Sequence, residues 1–109
     1  MTQTVVVTGG TSGIGAGVAQ VLNIAGYHVI AATVSQDEID RFEGVPEIET
    51  CLMDVTDGAS VDALFNRLNS LSGLVNCAGI LVREKEYDID VFQMVIDVNL
   101  TGTMRCCLA

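Results

Sequence analysis

An α/β fold built on a doubly wound parallel sheet is predicted by three features of this 109-residue sequence. Apolar runs rich in Val, Ile, Leu and Ala alternate with stretches of helical spacing along the chain. A glycine-rich turn, Thr8-Gly9-Gly10-Thr11-Ser12-Gly13-Ile14-Gly15, joins the first run to the first helical stretch. Half of the residues are hydrophobic while aromatics make up only 5%. That is the composition of parallel strands buried on both faces.

Each element has its own signal. The Val run predicts strand 1 at about Thr4–Thr8. Helix 1 is expected over about Gly13–Ala25, with Val18, Val21, Leu22 and Ala25 as its apolar stripe and Gly26 as its stop. Gly17 in that helix is read as a small residue for close packing on the sheet. Strand 2 follows at about His28–Thr33, then a short helix at Gln36–Phe42 ending at Gly44, with Pro46 marking the break. Strand 3 is expected at Ile48–Met53, and Asp57 can cap a helix carrying Val61, Leu64, Phe65 and Leu68. Strand 4 is short, Gly73–Cys77. Asp88 opens the last helical region, with Ile89, Phe92, Val95, Ile96, Leu100 and Met104. Strand–helix alternation implies right-handed crossovers. A Rossmann-like sheet then has order 3-2-1-4 and binds its ligand between strands 1 and 4.

Length sets a ceiling of one domain, residues 1–109. A net charge of −9 argues against nucleic acid, which selects basic surfaces. It is compatible with an anionic cofactor held by backbone dipoles. No stretch reaches the ~20 apolar residues of a membrane span. Met1-Thr2-Gln3 leads straight into strand 1, so no signal peptide is expected and the expected compartment is the cytoplasm. Cys51, Cys77, Cys106 and Cys107 lack metal-ligand spacing. They read as reduced thiols, and no metal is expected.

The glycine turn carries chemistry because a strand, a tight glycine loop and a helix start present backbone N–H groups and a positive helix end to phosphate. Its spacing is Gly-x-x-x-Gly-x-Gly (Gly9, Gly13, Gly15), and Ala16 excludes a Walker P-loop, which needs Lys there. Three further motifs fall at predicted strand ends or in the last helix: Asp54-Val55, Asn76-Cys77-Ala78-Gly79 and Asp97-Val98-Asn99-Leu100. Together, in this order, they resemble the short-chain dehydrogenase/reductase family over essentially the whole chain.

The resemblance implies a cofactor site made by Gly9, Thr11, Ser12, Gly13, Ile14, Gly15, Thr33, Asp54, Val55, Asn76, Ala78 and Gly79. Asp54 would accept a hydrogen bond from the adenine amino group, with Val55 against the ring. Asn76, Ala78 and Gly79 would turn beside the adenosine ribose, with Cys77 replacing a second Asn. Asn99 is similar to the family's catalytic Asn, which bends its helix and holds a water in the proton relay. Plain rivals stand beside these: Asp54 as a turn cap, Asn99 as an ordinary helix residue, Tyr27, His28 and Tyr87 as structural groups.

The resemblance implies NAD or NADP as the cofactor. In NAD-preferring folds an acid about 20 residues past the glycine loop bonds the ribose 2′-OH. Thr33-Val34-Ser35 occupies that place, and Ala31 to Ser35 is similar to NADP-using reductases of the family. The balance tilts toward NADP, although Ser12 replaces an expected base and Arg41 is the only nearby cation.

Neither Tyr27 nor Tyr87 has a Lys four residues on, and Lys85 is the only Lys. The family's Tyr-x-x-x-Lys pair is therefore missing, and its catalytic Ser would follow a fifth strand that is not expected in these residues. The expectation is the amino-terminal, cofactor-binding half of an oxidoreductase acting on a small carbonyl or alcohol. It would be inactive alone and homo-oligomeric when whole. A naturally short nucleotide-binding or regulatory module, using its open sheet edge for a partner, is the rival. A receiver-type domain lacks its acidic pair after strand 1.

Overall fold

The structure is a computed structural model that describes residues 2–42 and 47–109. Four parallel strands, β1 (Thr4–Thr8), β2 (His28–Thr33), β3 (Glu49–Leu52) and β4 (Gly73–Asn76), lie in the order β3-β2-β1-β4. The predicted order stands. The proposed stop at Gly44 and Pro46 lies outside the described residues.

Alternation along β1 and β2 divides the core. Val5 and Val7 pack with Val29, Ala31 and Ala19 on the side of helix α1 (Gly13–Ile24). Val6 packs with Ile30 and Ala32 on the other side. There it meets Val61 and Leu64 of α3 (Gly58–Asn66) and Cys106 of α5 (Gly102–Leu108). A sheet covered on both faces explains why β1 and β2 read as unbroken apolar runs. In register, Thr8 pairs with Ala32 on one side and Asn76 on the other. Four strands thus end on one line, and the loops leaving them build a single face.

Two packing expectations change. On α1 the buried residues are Gly15 and Ala19, with Val18 and Leu22 half-buried, whereas Val21 is 66% exposed and Ala25 is exposed. Gly15 packs against Gly9 and Gly10 of the glycine loop, and that contact sets the helix rotation. Val21, six residues on, then lies about 120° away. Gly17 is exposed, and a Cβ there would meet nothing within 4 Å. In this loop close approach falls at Gly9, Gly10 and Gly15 instead.

The other helices start where capping chemistry says. Ser35 Oγ accepts the Glu38 N–H to open α2 (Gln36–Arg41). Asp57 accepts the Ala59 N–H for α3. Asp88 accepts those of Asp90 and Val91 for α4 (Ile89–Ile96). Between α4 and α5, residues Asp97–Thr101 form a π-turn. Such a turn seats one extra residue and shifts the helix face.

Candidate functional site

At the carboxyl ends of the strands lies a cleft of about 390 Å³. Every strand contributes to its wall: Thr8 and Gly9 from β1, Ala32 to Val34 from β2, Met53 to Val55 from β3, and Cys77 to Ile80 from β4. Ser12, Gly13, Ile14 and Gly15 form its floor at the start of α1.

That helix start is open. Ser12 stands at the N-cap in extended conformation, yet its side chain caps nothing, and the first turn holds no acid. The first N–H groups of a helix lack intrahelical acceptors and carry a positive partial charge. Here they face the cleft. Gly9 and Gly13 have φ of +63° and +53°. A Cβ on Gly15 would collide with the Gly9 carbonyl, while one on Gly13 would meet nothing within 4 Å. The loop therefore depends on close backbone contact at Gly15, and at Gly13 on an unusual backbone angle beside open space. This cradle, free of side-chain bulk and lined by N–H groups, fits a diphosphate.

Thr8 closes the seam between β1 and β4. It is almost fully buried, and its Oγ1 accepts the N–H groups of Cys77 and Ala78, both at 3.1 Å. The end of β1, where the glycine loop begins, is thereby tied to the β4 turn. The sequence places Thr8 at the end of strand 1 and the start of the glycine turn, but carries no sign of this link to the β4 turn.

At the β3 end, Asp54 Oδ1 accepts both the hydroxyl and the backbone N–H of Thr56, at 2.7 and 2.9 Å. Those donors hold the Asp54 carboxyl below its ordinary range, with burial working against them. Asp54 thus caps the turn through Oδ1, as its plain rival reading has it, and as a residue it also lines the cleft.

Of the other predicted positions, Thr33, Val55, Ala78 and Gly79 line the cleft. Asn76 and Thr11 lie outside the lining. Asn76 Nδ2 reaches Cys107 Sγ at 3.7 Å. Thr11 is buried and donates to Glu38 Oε1 at 3.3 Å. Asn99 sits inside the π-turn, outside the cleft lining, with both amide atoms on the backbone of Ile80.

The residue that sequence reasoning missed is Glu38. It lines the cleft beside Thr33 and Val34, so the β2 side does present a carboxylate. Only its position in α2 hid it, since the expected place was the strand end itself. Arg41 points elsewhere: its Nε donates to the Asp37 carbonyl, and it is not in the lining. Among the described residues, Glu38 and Asp54 are the only charged groups of the cleft wall. All four cysteines are free, and no helix of the described residues is long and apolar enough to cross a membrane.

Comparison with known proteins agrees with this geometry. The family model described as short chain dehydrogenase matches residues 3–109. The chain is 39% identical over 118 residues to 3beta-hydroxysteroid dehydrogenase 1 of Eggerthella lenta, covering 96% of this chain and 45% of that protein. It is 31% identical over 108 residues to an uncharacterized oxidoreductase of Staphylococcus haemolyticus, covering 91% and 47%. A solved structure of ElxO with NADPH bound superposes with a TM-score of 0.86 at 30% identity, covering 98% of this chain and 48% of that one. The chain thus spans about half the length of the relatives it matches.

Proposed function

The chain belongs to the short-chain dehydrogenase family, and from that premise we propose that it is the dinucleotide-binding half of an NAD(P)-dependent oxidoreductase. The observation that carries the proposal is the uncapped start of α1, with Gly9, Gly13 and Gly15 beneath a cleft where four parallel strands end. Gly15, Ile14 and Ser12 would hold the diphosphate, Asp54 and Val55 the adenine, and Ala78 and Gly79 the sugar side. When bound, the nicotinamide supplies hydride to, or takes it from, a carbonyl or alcohol carbon.

The chain's own residues bind and orient. Thr8 fixes the β4 turn against the glycine loop, and Asn99 fixes Ile80 at the far end of that turn. No Tyr-x-x-x-Lys pair is present in these residues, so a proton donor for the carbonyl oxygen must come from elsewhere in the protein. The isolated chain is accordingly proposed to be inactive. The rest of the reading is a cytoplasmic enzyme that assembles with copies of itself. Exposed Phe92, Met104 and Leu108 on α4 and α5 support a further protein surface there.

The test is titration of the whole protein with NADH and NADPH, followed by nicotinamide fluorescence, together with turnover on a panel of ketones and alcohols. Saturable binding abolished by Gly15→Val is expected. Binding of neither nucleotide would overturn the reading.

A further inference from the structure

We propose, on the dinucleotide reading and as a refinement of it, that Arg105 of α5 is a positioning residue for the cofactor's adenine, holding Asp54-Val55 in place from behind the cleft through the Val55 carbonyl.

Asp54 and Val55 line the cleft, and Arg105 does not. One terminal nitrogen of its guanidinium, Nη1, donates to the Val55 carbonyl at 2.9 Å and to Asp97 Oδ1 at 2.8 Å. Such a nitrogen carries two N–H bonds, one for each acceptor. Among the described residues it is the only donor to the Val55 carbonyl. The Val55 carbonyl and the Thr56 N–H belong to one planar trans peptide and point in opposite directions. Arg105 takes the carbonyl, and Asp54 Oδ1 takes the N–H at 2.9 Å. A single peptide thus stands between the guanidinium and the carboxylate. The helix meets Val55 a second time at Gly102, where an added Cβ would stand 2.7 Å from Cγ2. Val55 also shares a core cluster with Cys106 of α5.

An ion pair such as Arg105–Asp97, with side chains 30% and 40% exposed, contributes little by itself. The bond to the Val55 carbonyl gives this one a direction. A charged donor binds a carbonyl more strongly than a neutral one. It also polarises the peptide, which strengthens the bond made by the N–H at the other end. Were this peptide to turn, Asp54 would lose a donor and its carboxylate would no longer be aimed. The Arg105 charge acts in the same sense: after the Thr56 hydroxyl and N–H, and against burial, it helps to hold the Asp54 carboxyl below its ordinary range. Arg105 therefore sets the group that would accept from the adenine amino group, without itself entering the cleft.

The test uses the whole protein and follows nicotinamide fluorescence. It compares the dissociation constant of the tighter of NADH and NADPH with that of its hypoxanthine counterpart. The counterpart carries a carbonyl where adenine carries its amino group, so the ratio isolates the bond to Asp54. Wild-type protein is expected to prefer the adenine form. Arg105→Met should cut that preference by about threefold or more. A purely structural role would weaken both ligands alike and leave the ratio where it was. Asp97→Asn, which loosens the other anchor of the guanidinium, should cut the preference by a smaller factor and stands in should Arg105→Met fold poorly. A wild-type ratio in Arg105→Met, or in Asp97→Asn where only that variant melts cooperatively, would overturn the role of Arg105 while leaving the adenine reading intact. Equal affinity of the wild-type protein for both forms would overturn the adenine reading of Asp54 and this role with it. Binding of neither form would overturn the dinucleotide reading itself.

Discussion

Asn99 grips the backbone of Ile80 with both ends of its amide: Oδ1 accepts the Ile80 N–H at 2.8 Å, and Nδ2 donates to the Ile80 carbonyl at 2.9 Å. The pairing ties the π-turn at Asp97–Thr101 to the loop that leaves β4. It also explains the irregular helix, since the extra residue brings Asn99 round to that loop.

The clamp predicts an unusual order of variants. Asn99→Ala loses two exposed hydrogen bonds, each contributing about 0.5–1.5 kcal/mol. Asn99→Asp, though nearly isosteric, sets a carboxylate oxygen against the Ile80 carbonyl, so it should be at least as destabilising at neutral pH. Protonation of that new carboxyl restores a donor. Its deficit relative to wild type should therefore shrink as pH falls toward about 4. Thermal melts across pH would check this, and a wild-type melting temperature in Asn99→Ala would show that the clamp adds no stability.

Gly13 and Gly15 are expected to fail differently. Gly15→Ala places a Cβ against the Gly9 carbonyl, so the glycine loop must move and nucleotide affinity should fall steeply. Gly13→Asn meets no neighbour, and Asn tolerates φ near +53° at a cost on the order of 1 kcal/mol. That variant should fold with near-wild-type stability and lose affinity only through the side chain it places in the cleft, whereas Gly13→Val adds the full strain of a β-branched residue at positive φ. Comparable losses of thermal stability for Gly13→Asn and Gly15→Ala would contradict this division.

Legibility followed the range of the forces involved. β1 and β2 were read with their bounds because a strand buried on both faces leaves an apolar run, and Asp57 and Asp88 were read because capping is local. The glycine spacing located the helix start for the same reason. What escaped depends on contacts across the chain. Glu38 enters the cleft because α2 packs near Thr11, 27 residues earlier, and no periodicity records that. The π-turn spoils the helical count only once its partner Ile80 is in place. Val21 looked like core because the stripe was aligned on large residues, while the sheet side of α1 is set by Gly15 and Ala19.

Asp54 and Thr56 give a pH prediction. The Thr56 hydroxyl is the largest cause of the lowered Asp54 pKa, and the Thr56 N–H is the next. A carboxylate whose pKa is depressed by folding contributes stability above its ordinary range and loses it as pH falls through the lowered value. Thr56→Val should return the Asp54 titration toward the ordinary value and remove part of this stability above the ordinary carboxylate range, so its deficit relative to wild type should shrink as pH falls through the lowered value. Carboxyl carbon chemical shifts followed against pH would show it, and an unmoved titration would exclude Thr56 as the cause. On the dinucleotide reading, Asp54→Ala should weaken NAD and NADP binding equally, by about five- to thirtyfold.

Gly102 supplies the last prediction. It is buried at the start of α5, where a Cβ would stand 2.7 Å from Val55 Cγ2 and 3.2 Å from the Asp97 carbonyl. Arg105 locks the same junction, its Nη1 donating to the Val55 carbonyl at 2.9 Å and to Asp97 Oδ1 at 2.8 Å. With the helix pinned by Arg105, the overpacked methyl of Gly102→Ala has nowhere to retreat and should cost about 1–3 kcal/mol. Because Val55 also lines the cleft, nucleotide affinity should fall with stability. Trimming the obstacle tests the cause: Val55→Ala in the Gly102→Ala background should recover much of the loss, giving a positive coupling in a double-mutant cycle. Strictly additive losses in that cycle would mean that Gly102 and Val55 do not meet in the way the structure places them.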